Sequence, residues 1–216
     1  MQADFFVPLT LRLPEETKVL LREYFISELH TKQSTRRQLG LYPTPPSYEL
    51  ESMVDNFLGP MGLKAGAFGT FALLPNTRDV NVHVDAMKLN TRLSFYELAD
   101  APGEIHWYSD AEDGYETWKP SYLGGEPILD YRYKWIDELQ EGKRTWEECP
   151  SPIYKVSTNV PSAFAMTSLP HNVVQGNGFR ITVSCQVVDR ETLSVENTWH
   201  KVKECLNSIA LPASAF

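Results

Sequence analysis

The chain has 216 residues, with 28 acidic side chains against 20 basic ones and a formal net charge of −8. That balance argues against a nucleic-acid surface, which is ordinarily basic. A hydrophobic content of 42% with 12% aromatics is that of an ordinary folded chain, and no apolar run is long enough to span a membrane.

In chain order, residues 1–60 read as helical support. The first sixteen residues carry acids and proline where a signal peptide needs a basic end and an unbroken apolar stretch. Pro14 followed by Glu15 and Glu16 predicts a helix start, with Val19, Leu20, Tyr24 and Leu29 as its apolar residues. Arg36, Arg37 and the run Tyr42-Pro43-Thr44-Pro45-Pro46 read as an irregular connection. Ser47 caps a second predicted helix with Leu50, Val54, Phe57 and Leu58 on one side, ended by Gly59-Pro60.

Strands are predicted over Gly69–Leu74, Asp79–Asp85, Arg92–Leu98, Glu104–Tyr108 and Phe179–Val188, so that 69–108 and 155–188 form a β core. Between these parts, residues 109–154 are rich in Gly, Pro and aromatics, including Tyr115, Trp118, Tyr122, Tyr131, Tyr133, Trp135 and Trp146. An insert of that length is either a lid over a site or a subdomain with its own small core. A short helix is expected over 131–140. Val195, Trp199, Val202 and Leu206 at helical spacing predict a C-terminal helix over 192–208. The whole, 1–216, is expected to be a single domain. Cys149, Cys185 and Cys205 are widely spaced and read as thiols in a reducing compartment, so the expected location is cytoplasmic.

The chemistry concentrates in two segments. Asp79 to Asp85 alternates strictly, so Val80, Val82 and Val84 face one way and Asn81, His83 and Asp85 the other. Much later comes His171, then the turn residues Gly176-Asn177-Gly178, then an alternating strand. On that strand Ile181, Val183, Cys185 and Val187 share one face, and Arg180, Thr182, Ser184 and Gln186 the other. The Gly-Asn-Gly turn between apolar runs predicts a hairpin, which would bring His171 and Arg180 from paired strands into a common space. A surface strand would explain each piece separately; the conjunction points to a site. Two imidazoles and one carboxylate that leave coordination positions open suit non-haem Fe(II), and a guanidinium nearby suits a dicarboxylate.

The order His83-x-Asp85, His171, Arg180-x-Thr182 resembles the Fe(II)/2-oxoglutarate-dependent dioxygenase superfamily, over about residues 70 to 190. The resemblance implies a mainly β protein with flanking helices, built on a double-stranded β-helix (jelly-roll, cupin-like) core. The N-terminal helices would lie outside the larger sheet. It implies His83, Asp85 and His171 as the catalytic iron ligands, and Arg180 with Thr182 as the holders of the far carboxylate of 2-oxoglutarate. The implied reaction is hydroxylation of a substrate with dioxygen, with succinate and CO2 as products. Asn90, Arg92, Ser94 and Tyr96 share a face of the next predicted strand. Tyr96 and Asn90 are further candidates for contact with the co-substrate, and Arg92 is a rival to Arg180 for its carboxylate. His106 is a fallback ligand, and Asn81 could hold His83 in place.

Two other readings stand beside this one. The same architecture serves as a binding or structural module without turnover, and as a cupin-type metal enzyme that uses no oxo-acid. The substrate, a small molecule or a peptide, is set by loops that one sequence does not decode.

Overall fold

The computed structural model describes residues 5–31, 38–43, 47–73, 82, 90–109, 114–119, 128–174 and 176–208. In chain order these hold β1 (Phe6–Leu9), α1 (Glu15–Thr31), β2 (Gln38–Pro43), α2 (Tyr48–Leu58), β3 (Leu63–Leu73), β4 (Thr91–Ala99) and β5 (Glu104–Trp107). There follow β6 (Gly114–Lys119), β7 (Ile128–Tyr133), α3 (Lys134–Gln140), β8 (Tyr154–Ser157), β9 (Ser162–Met166), β10 (His171–Val174), β11 (Arg180–Asp189) and α4 (Thr198–Ser208).

The second helix forms where its cap predicts. Ser47 has extended backbone, and its hydroxyl accepts from the Leu50 amide at 3.3 Å, satisfying one of the donors that a helix start leaves open. Leu50, Val54 and Leu58 then recur at i, i+4, i+8 and are buried together. The first helix starts at Pro14, whose carbonyl accepts from the Lys18 amide, but it buries a different stripe from the one expected. Thr17, Leu21 and Phe25 face inward, whereas Val19, Leu20 and Tyr24 are exposed. The Thr17 hydroxyl lies 3.1 Å from Ser47 Oγ, so a tertiary contact decides between two apolar stripes that the sequence alone leaves nearly equal.

Two main sheets carry the fold, and every strand pair is antiparallel. The larger has the order β1-β9-β4-β11-β3-β2 and the smaller β10-β5-β8. Both edges of the larger sheet come from the region read as helical or irregular. Pro8 explains why β1 is at an edge, since it has no amide to offer a second neighbour. The predicted Asp79–Asp85 strand lies outside the described residues except for Val82, which is buried.

Alternation divides the larger sheet into two faces. On one, Leu93, Phe95, Phe164, Met166, Ile181, Val183, Cys185 and Val187 pack with Leu21 and Phe25 of α1, Leu50, Val54 and Leu58 of α2, and Trp199 and Val202 of α4. On the other, Phe6, Tyr96, Ala163 and Ala165 meet Ile105 and Trp107 of the smaller sheet, with Tyr154, Val156 and Val173 beside them. This second cluster is the interior between the two sheets. Burying the apolar outer face under helices turns the polar face of β11 inward.

Residues 109–154 hold the two-stranded sheet β6-β7 and the short α3, which begins at Lys134 because Tyr131 to Tyr133 belong to β7. Trp135 of α3 is buried with its ring 5.5 Å from that of Tyr108, which fastens this region to the end of β5. The last helix starts later than its apolar spacing suggests. Asn197 has φ of 61°, in the left-handed region, so Val195 precedes the helix and only Trp199, Val202 and Leu206 lie on it.

Candidate active site in the barrel interior

The Gly-Asn-Gly turn does not close a hairpin. β10 pairs with β5 in the smaller sheet and β11 pairs with β3 and β4 in the larger one, so the two strands that flank the turn belong to different sheets. The glycines serve a close approach. A Cβ on Gly178 would stand 2.8 Å from Asp100 Cβ and from the Ala101 amide, and one on Gly176 would stand 2.8 Å from the Pro102 carbonyl. The crossing chain is locked there by the Asp100 amide, which donates to the Phe179 carbonyl at 2.8 Å. His171 and Arg180 therefore come from opposing sheets and not from neighbouring strands.

Register gives the direction of His171. It stands opposite Trp107, as Val173 stands opposite Ile105, and those three apolar partners belong to the interior cluster. By alternation His171 shares their face. The ring is buried, and Nδ1 lies 2.8 Å from the Leu169 carbonyl. A carbonyl only accepts, so Nδ1 carries the proton and Nε2 keeps the lone pair in the neutral ring. This is the arrangement that orients a metal-binding imidazole. His83 and Asp85, the other two expected ligands, lie outside the described residues, as does Asn81. Among the described residues no three metal-binding side chains converge.

Arg180 opens β11 and is 1% exposed. Its Nε donates to Thr182 Oγ1 at 2.8 Å, its Cζ lies 5.0 Å from the centre of the Tyr96 ring, and Nη1 is buried without a hydrogen-bond partner among the described residues. Burial pushes the guanidinium down to about 10, partly offset by Tyr96. Burial likewise raises the Tyr96 phenol, against the lowering influence of Arg180 and a hydrogen bond with Ser94. An unmatched charge-bearing donor in such a place is costly, because its hydration is lost and nothing replaces it. Ser94 Oγ donates to Ser184 Oγ at 3.0 Å and continues the polar row further along the interior.

The remaining candidates separate. Arg92 stands opposite Gln186, at the other end of β4 from Ala99, which is opposite Arg180. At about 3.3 Å per residue, Asn90 is some 20 Å of strand from Tyr96; it is fully buried and does not join Arg180, Thr182 and Tyr96. His106 is turned away from the interior. It pairs with Asn172 and Lys155 on the outer face of the smaller sheet and is held by Glu104 at 2.7 Å. Trp107 is the interior residue that the sequence did not single out. It is fully buried, its Nε1 donates to the Met166 carbonyl at 2.8 Å, and its ring lies 5.6 Å from Tyr154 and 6.3 Å from Phe6, which ties the two sheets together at the His171 end.

No protein-family model matches the chain, and no curated protein matches it by sequence. Solved structures do. The structure of HygX from Streptomyces hygroscopicus, with nickel and 2-oxoglutarate bound, is 10% identical, covers 84% of this chain and 81% of its own, and superposes with a TM-score of 0.50. AviO1 from Streptomyces viridochromogenes Tue57 is 14% identical over 89% of this chain and 93% of its own, with a TM-score of 0.48. At such identity the likeness is one of fold. The chain is a double-stranded β-helix with flanking helices. No helix among the described residues is long and apolar enough to cross a membrane.

Proposed function

We propose that the chain is an Fe(II)- and 2-oxoglutarate-dependent dioxygenase that hydroxylates a small-molecule or peptide substrate. The observation that carries this reading is Arg180 Nη1, a donor on a 1% exposed guanidinium that finds no acceptor among the described residues. A carboxylate placed against it would supply the missing acceptor and the missing countercharge together, and the planar fork suits two parallel hydrogen bonds. Thr182 fixes the fork through Nε, and the Tyr96 ring supports its face. Arg92 lies at the far end of the same strand pair, opposite Gln186.

His171 enters the same interior with its proton on Nδ1 and its lone pair on Nε2, as a metal ligand requires. His83 and Asp85 are assigned as the other two ligands on their spacing in the sequence. Iron held there would supply dioxygen activation at the expense of 2-oxoglutarate, which leaves as succinate and CO2. The chain's own part is to orient the co-substrate through Arg180 and Thr182, to hold the His171 ring through Leu169, and to keep water from the interior with Trp107, Tyr96 and Phe6. The cofactor of HygX fits this reading, since that structure holds 2-oxoglutarate and a divalent metal in a barrel of the same fold.

The test is calorimetry with Mn(II) in place of iron. Tight 2-oxoglutarate binding that requires the metal, and that is lost in His171→Ala and in Arg180→Ala, is expected. Metal binding indifferent to 2-oxoglutarate would instead favour a cupin-type enzyme that uses no oxo-acid, and no metal binding would favour a binding module.

A further inference from the structure

Among the described residues, four buried side-chain atoms besides Arg180 Nη1 lack a hydrogen-bond partner, and three of them belong to one neighbouring pair: Asn90 Nδ2, Asn90 Oδ1 and Thr167 Oγ1. The Thr167 amide donates to the Asn90 carbonyl at 3.0 Å, one step beyond the pairing of Thr91 with Met166, so the two residues face each other across the start of β4 and the end of β9. Parity gives them a common direction. Ala163 and Ala165 face the interior, and Thr167 continues their row; Ser94 and Tyr96 face the interior, and Asn90 continues theirs. Asn90 is 0% and Thr167 3% exposed.

Leaving these groups unmatched opposes folding. A buried polar atom without a partner gives up its hydration and gets nothing in return, and an isosteric apolar side chain would avoid that cost. Their position suggests why they stand there. Thr167 is four residues before His171, and Asn90 is five residues after Asp85, so the pair is tied by short chain to both halves of the proposed metal site. The Trp107 indole, opposite His171, donates to the carbonyl of Met166 next to Thr167. Arg180 is at the other end of β4, separated by more strand than a five-carbon diacid can bridge.

We propose that Asn90 and Thr167 form a subsite for an amide group of the substrate, a peptide bond or a carboxamide. The inference rests on the reading of the interior as an oxygenase site. An asparagine side chain presents a donor and an acceptor side by side, and so does an amide, so the two pair reciprocally; the Thr167 hydroxyl adds one more of either kind. A site built on hydrogen bonds rejects analogues that lack the matching groups far more strongly than an apolar pocket can, which gives the unmatched atoms a use.

The experiment follows the side-chain amide signals of Asn90, identified by their loss in Asn90→Leu, in nitrogen-15 spectra of the full chain. Three probes are titrated: N-methylacetamide for a peptide bond, acetamide for a carboxamide, and methyl acetate as a control without N–H. A saturable shift with an amide and none with the ester is expected, and the amide that saturates at lower concentration tells the two sources apart. Asn90→Leu and the isosteric Thr167→Val should each raise the melting temperature by about 2–4 °C, because each removes an unmatched polar group, and Thr167→Val should weaken the amide response. The absence of a saturable shift up to 0.5 M amide (on the order of the weakest meaningful contact) would leave only trapped water as the partner and overturn the proposal. A lower melting temperature in both variants would show that the groups serve the fold, and would overturn it too. Arg180→Ala separates the two ideas: it should abolish 2-oxoglutarate binding and leave the amide response intact, and retained 2-oxoglutarate binding would count against the oxygenase reading alone.

Discussion

Along β11, Ile181, Val183, Cys185 and Val187 point toward the helices, while Arg180, Thr182 and Ser184 point between the sheets, and both rows are buried. The first row is apolar and belongs to the cluster packed under the helices. Even its thiol is inert, with Cys185 pushed up to about 12 by burial. The second row keeps charge and hydroxyls where an apolar side chain would be more stable. One strand therefore separates an apolar row that packs the fold from a polar row that lines the proposed site, and substitutions on its two faces should have opposite signatures.

The largest expected effect is on the inner face. Arg180→Ala should weaken 2-oxoglutarate binding to the Mn(II)-loaded protein by about thirtyfold to a few thousandfold, as expected when one partner of a buried charge pair is removed at about 2–5 kcal/mol. Arg180→Lys should recover only a part, since an ammonium does not reproduce the fork; calorimetry measures both. On the outer face, Val187→Ala should destabilise the protein by about 2–3 kcal/mol in urea unfolding, from lost burial and the space left behind. Its affinity for 2-oxoglutarate should stay within about twofold, the scatter expected of independent sites. If Val187→Ala changed affinity as much as stability, the division between the faces would not hold. Smaller is Tyr96→Leu, which removes the ring beneath the guanidinium and should cost about tenfold in 2-oxoglutarate affinity. Smallest is His106→Ala. With its side chain on the outer face of the smaller sheet, the change should leave metal binding as it is and shift stability by no more than about 0.5 kcal/mol. Loss of metal in that variant would place a ligand on the wrong side of the sheet.

What was legible in the sequence was local. The period of two along 180–188 gave both faces of β11 correctly, because a strand buried on both sides still keeps its two rows apart. Ser47 and Gly59 marked α2 because caps act over three or four residues. Where distant contacts decide, the reading failed. The glycines of the 176–178 turn suggested a hairpin, but their missing side chains make room for Asp100 to Pro102, some 75 residues earlier in the chain. The inner face of α1 was misplaced for the same reason, since Thr17 is drawn in by Ser47 of another helix. Of the candidate residues, the pattern singled out Arg180, Thr182 and Tyr96, and these three lie together in space. Thr167 was not found, because a threonine at a strand end carries no signal until its neighbour's unmatched amide is seen beside it.

One detail of β4 has a wider consequence. Phe95 is opposite Val183 and Leu98 opposite Ile181, so three steps on one strand answer two on the other. The extra position reverses the phase: Ser94 and Tyr96 enter the barrel, yet Leu98, of the same parity, joins the helix side. Removing that one extra residue would return the pair to even register with Leu98 still on the helix side, at the loss of either the Tyr96 ring beside the guanidinium or the Glu97 tether of Arg12 and Lys18. The extra position gives this short stretch of strand room for both groups.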